Sequence, residues 1–126
     1  MENHTTHEGF KEIDVQKAKQ IFDEGDAVVL DVREPDEWYG EFGHIENALL
    51  IRLDELQNRI SEIEKFKNNK ILVFCAGGLR SREACEFLST KGFKNLYNVL
   101  GGMMDWFDYG YPTVENNTWA TRQKGE

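Results

Sequence analysis

The chain has 126 residues, a formal net charge of -8, and a hydrophobic share of 40%. That share excludes a disordered chain and suits one domain with a real core. The charge argues against a nucleic-acid binder or an anionic-membrane binder, since both require a basic face. Any anionic substrate must then be drawn by a local positive spot. No apolar run approaches the length of a transmembrane helix. Met1-Glu2-Asn3-His4-Thr5 has neither the basic start nor the apolar run of a leader.

Residues 1–8 are polar and are expected to form a flexible N-terminal segment. His4 and His7 are three apart, but no nearby pattern completes a metal site, so no metal is expected. Residues 10–13 can form a first strand. Asp14 is a plausible N-cap, and Val15, Ala18, Ile21 and Phe22 recur at helical spacing up to Gly25. Residues 27–32 are nearly all apolar, as in a parallel strand covered on both faces. Asp31 lies at the C-terminal end of that run. There it is expected to accept hydrogen bonds from loop backbone, while Arg33 pairs with a carboxylate such as Glu34 or Glu37. Both are read as loop support rather than catalysis.

Pro35, Asp36 and Glu37 start a short helix that Gly40 and Gly43 end. His44 is a tempting general base, although a turn histidine more often caps or packs. Residues 48–51 read as a strand. Leu53, Leu56, Ile60 and Ile63 form a helical stripe. Residues 71–74 are a buried strand, Ala84, Phe87 and Leu88 belong to a helix after it, and residues 96–100 are the last strand. Gly101 and Gly102 lead into a short helix with Trp106. A polar tail is expected over residues 113–126, with Trp119 able to dock. Alternating strands and helices predict an α/β sandwich of three layers around a mostly parallel sheet, a single domain over residues 9–112.

The chain is organised around residues 71–82, where a strand runs through Cys75-Ala76-Gly77-Gly78-Leu79-Arg80 into a helix. Such a turn can aim several backbone N–H groups into one cup. A cysteine at its floor would face a field that favours the thiolate, with Arg80 as a nearby cation. The bland alternative is a core cysteine. Gly77 and Gly78 argue against it, because they serve no core purpose and allow close backbone approach. Cys85 is read as packing. In a helix it lies too far from Cys75 for a disulfide, since the Cα atoms must come within about 7 Å. Unpaired thiols suit a reducing cytoplasm.

Four stretches carry a resemblance. They are Leu30-Asp31-Val32-Arg33-Glu34, Gly43-His44-Ile45-Glu46-Asn47-Ala48, Cys75-Ala76-Gly77-Gly78-Leu79-Arg80-Ser81, and Leu100-Gly101-Gly102-Met103 with Trp106. In this order the chain resembles the single-domain rhodanese, or sulfurtransferase, family. The resemblance implies a five-stranded sheet with helices on both faces, and no metal or organic cofactor. It implies a persulfide on Cys75, held by the amides of Ala76, Gly77, Gly78, Leu79 and Arg80. Sulfane sulfur would pass from thiosulfate or a persulfide to cyanide or a thiol. Two positions depart from the family. Ala76 stands where many members carry arginine, which removes a cation. Asn47 stands where glycine is frequent.

Other functions compete with this one. A phosphatase or arsenate reductase loop has five residues between cysteine and arginine, whereas four separate Cys75 from Arg80. A non-catalytic binding module commonly loses the cysteine. A sulfur relay to an acceptor protein fits the missing cation at position 76.

Overall fold

The computed structural model describes residues 4–7 and 9–114. The expected tail and Trp119 lie largely or wholly outside the described residues. Six strands form one sheet: β1 (His4–His7), β2 (Phe10–Ile13), β3 (Val28–Asp31), β4 (Leu49–Leu50), β5 (Lys70–Phe74) and β6 (Asn95–Val99). Their order is β1-β2-β6-β5-β3-β4. All neighbours are parallel except β1 with β2. The helices are α1 (Val15–Glu24), α2 (Pro35–Trp38), α3 (Leu79–Ser89) and α4 (Gly102–Asp108). The expected α/β sandwich with a mostly parallel sheet is therefore present.

Strand β5 shows why the chain takes this form. Ile71 and Val73 enter one core cluster with Ala84 and Leu88 of α3. Leu72 and Phe74 enter the other, with Ala18 and Ile21 of α1 and Met103 and Trp106 of α4. Side chains alternate across a strand, so a run that is apolar at every position must be covered on both faces. Asp14 caps α1 by accepting the Lys17 amide at 2.8 Å, and Gly25 closes it in the left-handed region.

Three expectations need correction. The sheet has six strands rather than five. Residues 4–7 are not loose, since they pair with β2 in the register His4 to Ile13. The stripe at Leu53, Leu56, Ile60 and Ile63 is not an α-helix. It forms three 3₁₀ turns, Leu53–Glu55, Ile60–Glu62 and Glu64–Phe66. Apolar residues there recur at steps of three, within 53–56 and again within 60–63–66. Side chains three apart eclipse in a 3₁₀ turn, so Leu56 and Ile63 still reach the core. Among the described residues, no helix is long and apolar enough to cross a membrane.

Candidate functional site

The parallel strands bring their C-terminal ends to one rim. Asp31 ends β3, Cys75 follows β5, and Leu100 follows β6. Val32 N–H donates to Phe74 O at 2.9 Å, so the segments after β3 and β5 leave the sheet side by side.

The loop after Cys75 is tied from behind. Cys75 O accepts Met103 N–H at 2.9 Å, Ala76 O accepts Met104 N–H at 3.0 Å, and Gly77 O accepts Gly101 N–H at 3.2 Å. Three successive carbonyls thus point at the start of α4. In a trans peptide the N–H points opposite its C=O, so the amides of Ala76, Gly77 and Gly78 turn to the other side. Gly78 N–H reaches Cys75 Sγ at 3.0 Å. Two glycines make this approach sterically open. Gly78 lies at φ 115°, and a side chain on Gly102 would meet Cys75 O at 2.3 Å. Gly77 does not take positive φ, and the space around it is open.

Cys75 is 1% exposed. The sequence puts the cysteine at the floor of a cup, and the sulfur lies beneath the loop in contact with α3. Ser81 Oγ is 3.3 Å from it. Leu79 is 83% exposed and projects away from the core. Cys85 is wholly buried, and burial pushes its thiol up out of the range of a reactive cysteine.

Arg80 is not an idle cation. Its Nη1 and Nη2 donate to Glu37 Oε1 and Oε2, each at 2.8 Å. The hydrogen bonds to Glu37 raise the guanidinium further above its ordinary value. The same bonds hold the Glu37 carboxyl below the usual carboxylate range. Burial opposes that shift, and the Glu34 amide at 2.8 Å reinforces it.

Arg33 takes a different partner from those expected. It grips Asp31, with Nη2 to Oδ2 at 2.8 Å and Nε to Oδ1 at 3.0 Å. Its remaining donors go to main-chain oxygens, Glu37 O at 3.2 Å and Gly43 O at 2.8 Å. Asp31 also accepts the Arg33 amide at 3.1 Å, so its expected hydrogen bond to loop backbone is present. Glu37 therefore joins the two arginines, giving its carbonyl to Arg33 and its carboxylate to Arg80. Nothing in the sequence joins Glu37 to Arg80, which lies 43 residues further on.

His44 stacks on Trp38 at 3.8 Å, and its Nδ1 faces Trp38 O at 3.2 Å. That is a packing and capping role rather than a base beside Cys75. Burial holds its imidazole below the ordinary value. Asn47 takes φ 70°, which explains why glycine suits that position. His7 contacts Glu12 at 2.7 Å. The residues that sequence reasoning missed are Ser81, Asn98 and Glu12, all buried behind the loop. The visible signal is Asn98, a polar residue between Tyr97 and Val99 in β6; Glu12 stands beside Lys11 in β2, and neither it nor Ser81 stands out.

A model of the rhodanese-like domain matches residues 14–109. The chain belongs to the rhodanese-like domain family. It is 32% identical over 108 residues to the thiosulfate sulfurtransferase GlpE of Coxiella burnetii, covering 86% of this chain and 96% of that protein. It is 33% identical over 90 residues to the tRNA uridine(34) hydroxylase of Cronobacter sakazakii, covering 68% of this chain. There it spans 25% of the relative's length. A rhodanese-related protein from Thermoplasma volcanium superposes with a TM-score of 0.72 at 38% identity. That match covers 82% of this chain and 96% of the other.

Proposed function

We propose that this rhodanese-like domain is a sulfurtransferase that carries sulfane sulfur as a persulfide on Cys75. The observation that carries the reading is the Gly78 amide at 3.0 Å from Cys75 Sγ, in a loop whose first three carbonyls are tied behind it. The ionised Sγ attacks the outer sulfur of the donor. A bond forms between Sγ and that sulfur, and the donor's own sulfur–sulfur bond breaks. From thiosulfate the departing group is sulfite, which takes the bonding pair. The negative charge then rests on the terminal sulfur of the persulfide. The amides of Ala76, Gly77, Gly78, Leu79 and Arg80 are the donors available to hold it. An acceptor thiolate or cyanide removes that sulfur and restores Cys75 as thiolate. No general base is required for this sequence.

Two features favour a persulfide donor and a protein thiol over thiosulfate and cyanide. Ala76 contributes no charge to the loop. Arg80, the cation within the loop, is already held by Glu37. A dianion needs more positive charge at such a rim than a neutral or singly charged partner does. We place the domain in a reducing compartment, the cytoplasm, because both its cysteines are free. The net charge of -8 makes direct nucleic-acid contact unfavourable.

The test is intact-mass measurement after exposure to thiosulfate, polysulfide and persulfide donors. We expect an adduct of one sulfur atom on Cys75 that cyanide removes. Cys75→Ser abolishes it and Cys85→Ser leaves it intact. Equal loss in both variants, or an adduct that survives Cys75→Ser, overturns the assignment.

A further inference from the structure

The large apolar side chains exposed among the described residues are Tyr39, Leu79, Leu100, Met104, Phe107 and Tyr109. All of them lie in the segments that follow β3, β5 and β6, at the sulfur end of the sheet. Four of them surround the sulfur loop. Leu79 belongs to the loop and is 83% exposed. Leu100 Cα would lie 3.6 Å from a side chain on Gly78, and Met104 N–H donates to Ala76 O at 3.0 Å. Phe107 lies one turn beyond Met104 and packs on half-buried Phe42, with ring centroids 5.4 Å apart. Cys75 itself is buried, so an incoming molecule meets these side chains before the sulfur. A small anionic donor gains nothing from them. A protein surface that takes them out of water does.

The charges around this face are one-sided. Glu41 precedes Phe42, Asp105 follows Met104, and Asp108 follows Phe107. Glu83 lies one helical turn beyond Leu79. All four carboxylates are exposed, and none has an ion-pair partner among the described residues. The arginines of this end are already taken. Glu37 holds Arg80, Glu34 and Asp54 hold Arg52, and Glu12 and Glu86 hold Arg82. The lysines without a carboxylate partner stand elsewhere. Lys11, Lys65, Lys91 and Lys94 lie at or before the starts of β2, β5 and β6, with Lys17 on α1 as the exception. The sulfur end is therefore the negative end of the molecule, and it is also the apolar one.

We propose that the face formed by Leu79, Leu100, Met104 and Phe107 docks a sulfur-acceptor protein whose reactive cysteine stands among apolar side chains collared by lysines or arginines. This rests on the persulfide reading and names the class of acceptor within it. Apolar contact closes the interface, and the collar meets carboxylates that have no cation of their own among the described residues. Complementary charge then sets the orientation and the speed of encounter. A second copy of this chain fits poorly, because a two-fold contact would set the same carboxylates against each other. In the complex the acceptor thiolate attacks the terminal sulfur of the Cys75 persulfide. A bond forms between those two sulfurs. The bond from the terminal sulfur to Sγ breaks, and its electron pair stays on Sγ as thiolate. The acceptor leaves as a persulfide anion.

Synthetic peptides serve as the probe. Each carries one cysteine between two leucines, flanked by lysines in one peptide and by glutamates in the other. Cys75 is loaded from polysulfide, and loss of the added sulfur to each peptide is followed by intact mass. At low salt the lysine peptide should unload Cys75 roughly tenfold faster than the glutamate peptide, and the rates should converge in molar salt. The ratio is taken within each variant, so a general loss of activity does not move it. Glu41→Gln, Glu83→Gln and Asp108→Asn combined should remove most of the preference. Lys91→Gln with Lys94→Gln makes the whole chain more acidic and should leave the ratio near its parent value. Met104→Ser should slow both peptides about threefold relative to 2-mercaptoethanol. Docking is also read without sulfur, from the amide resonances of the protein. A lysine peptide with serine in place of cysteine should shift those of Leu79, Leu100, Met104 and Phe107. Equal unloading by the two peptides at low salt, a preference that survives the triple variant, or shifts confined to other residues overturns the proposal. Resonances of this face that move on dilution of the protein alone would give it to a second copy and overturn it too. If Cys75 takes up no sulfur, the persulfide reading fails, and the amide shifts still decide the docking face.

Discussion

Arg33 and Arg80 each hold a carboxylate with more than one nitrogen, but they do so in different surroundings. Arg33 and Asp31 have side chains 1% and 2% exposed, and Arg33 also donates to the carbonyls of Glu37 and Gly43. Arg80 and Glu37 are 36% and 31% exposed at the rim of the sulfur loop. Breaking a buried pair strands a charge away from water, whereas breaking a half-exposed one hands both groups to solvent. The same pairing chemistry is thus a fixed pin in the first place and an adjustable charge in the second. Glu37 couples them, because its backbone is held by the pin and its side chain holds the adjustable charge.

The largest expected effect separates the two by stability. Arg33→Ala should cost about 3–5 kcal/mol in urea unfolding, the range for a buried pair that loses one partner. Arg80→Ala should cost no more than about 1 kcal/mol. Comparable losses in the two variants would break the distinction. The next effect reverses the order, using sulfur loading of Cys75 from thiosulfate. Glu37→Gln releases the Arg80 charge while keeping the shape of the side chain. Loading from thiosulfate should rise about fivefold, since one unit charge at contact distance in water is worth ~1 kcal/mol. An uncharged persulfide donor should gain little, and Arg80→Ala combined with Glu37→Gln should gain nothing. A fall in thiosulfate loading on Glu37→Gln would mean that the ion pair orients Arg80 rather than spends it.

The pin and the adjustable charge were unequally legible in the sequence. Asp31 and Arg33 stand at the end of an apolar run, so a polar support at that rim could be read directly. Which carboxylate Arg33 takes could not, because Asp31, Glu34 and Glu37 all lie within four residues of it. The choice depends on side-chain direction, which spacing does not carry. Residues 28–30 of β3 and 71–74 of β5 announce themselves because burial on both faces demands apolar residues at every step. β1 does not, since His4-Thr5-Thr6-His7 has no apolar residue and joins the sheet through its backbone. The 3₁₀ segment carries the stripe of an α-helix because steps of three and of 3.6 differ little over so few turns. Behind the loop, Asn98 was visible as a polar residue among apolar ones, but its partner Glu12 lies 86 residues away.

The smallest effect sharpens the comparison from the pinned side. His44 follows Gly43, whose carbonyl Arg33 holds, and its ring is stacked on Trp38. Burial lowers its proton affinity in the fold, and the Trp38 carbonyl and Asp31 only partly offset that. The unfolded chain therefore binds the extra proton first as pH falls through the ordinary histidine value of 6.5. Stability from His44 is complete above that pH and is lost between it and the lower folded value. His44→Phe keeps a ring on Trp38 and removes the titration. Its melting temperature should fall less than that of the parent chain between pH 7.5 and pH 5, on the order of the histidine range. Sulfur loading at neutral pH should stay the same, because this side of Glu37 supports the loop without touching the sulfur. A change in loading with no change in the pH slope would place His44 with Arg80 instead, and the division between pin and adjustable charge would have to be redrawn.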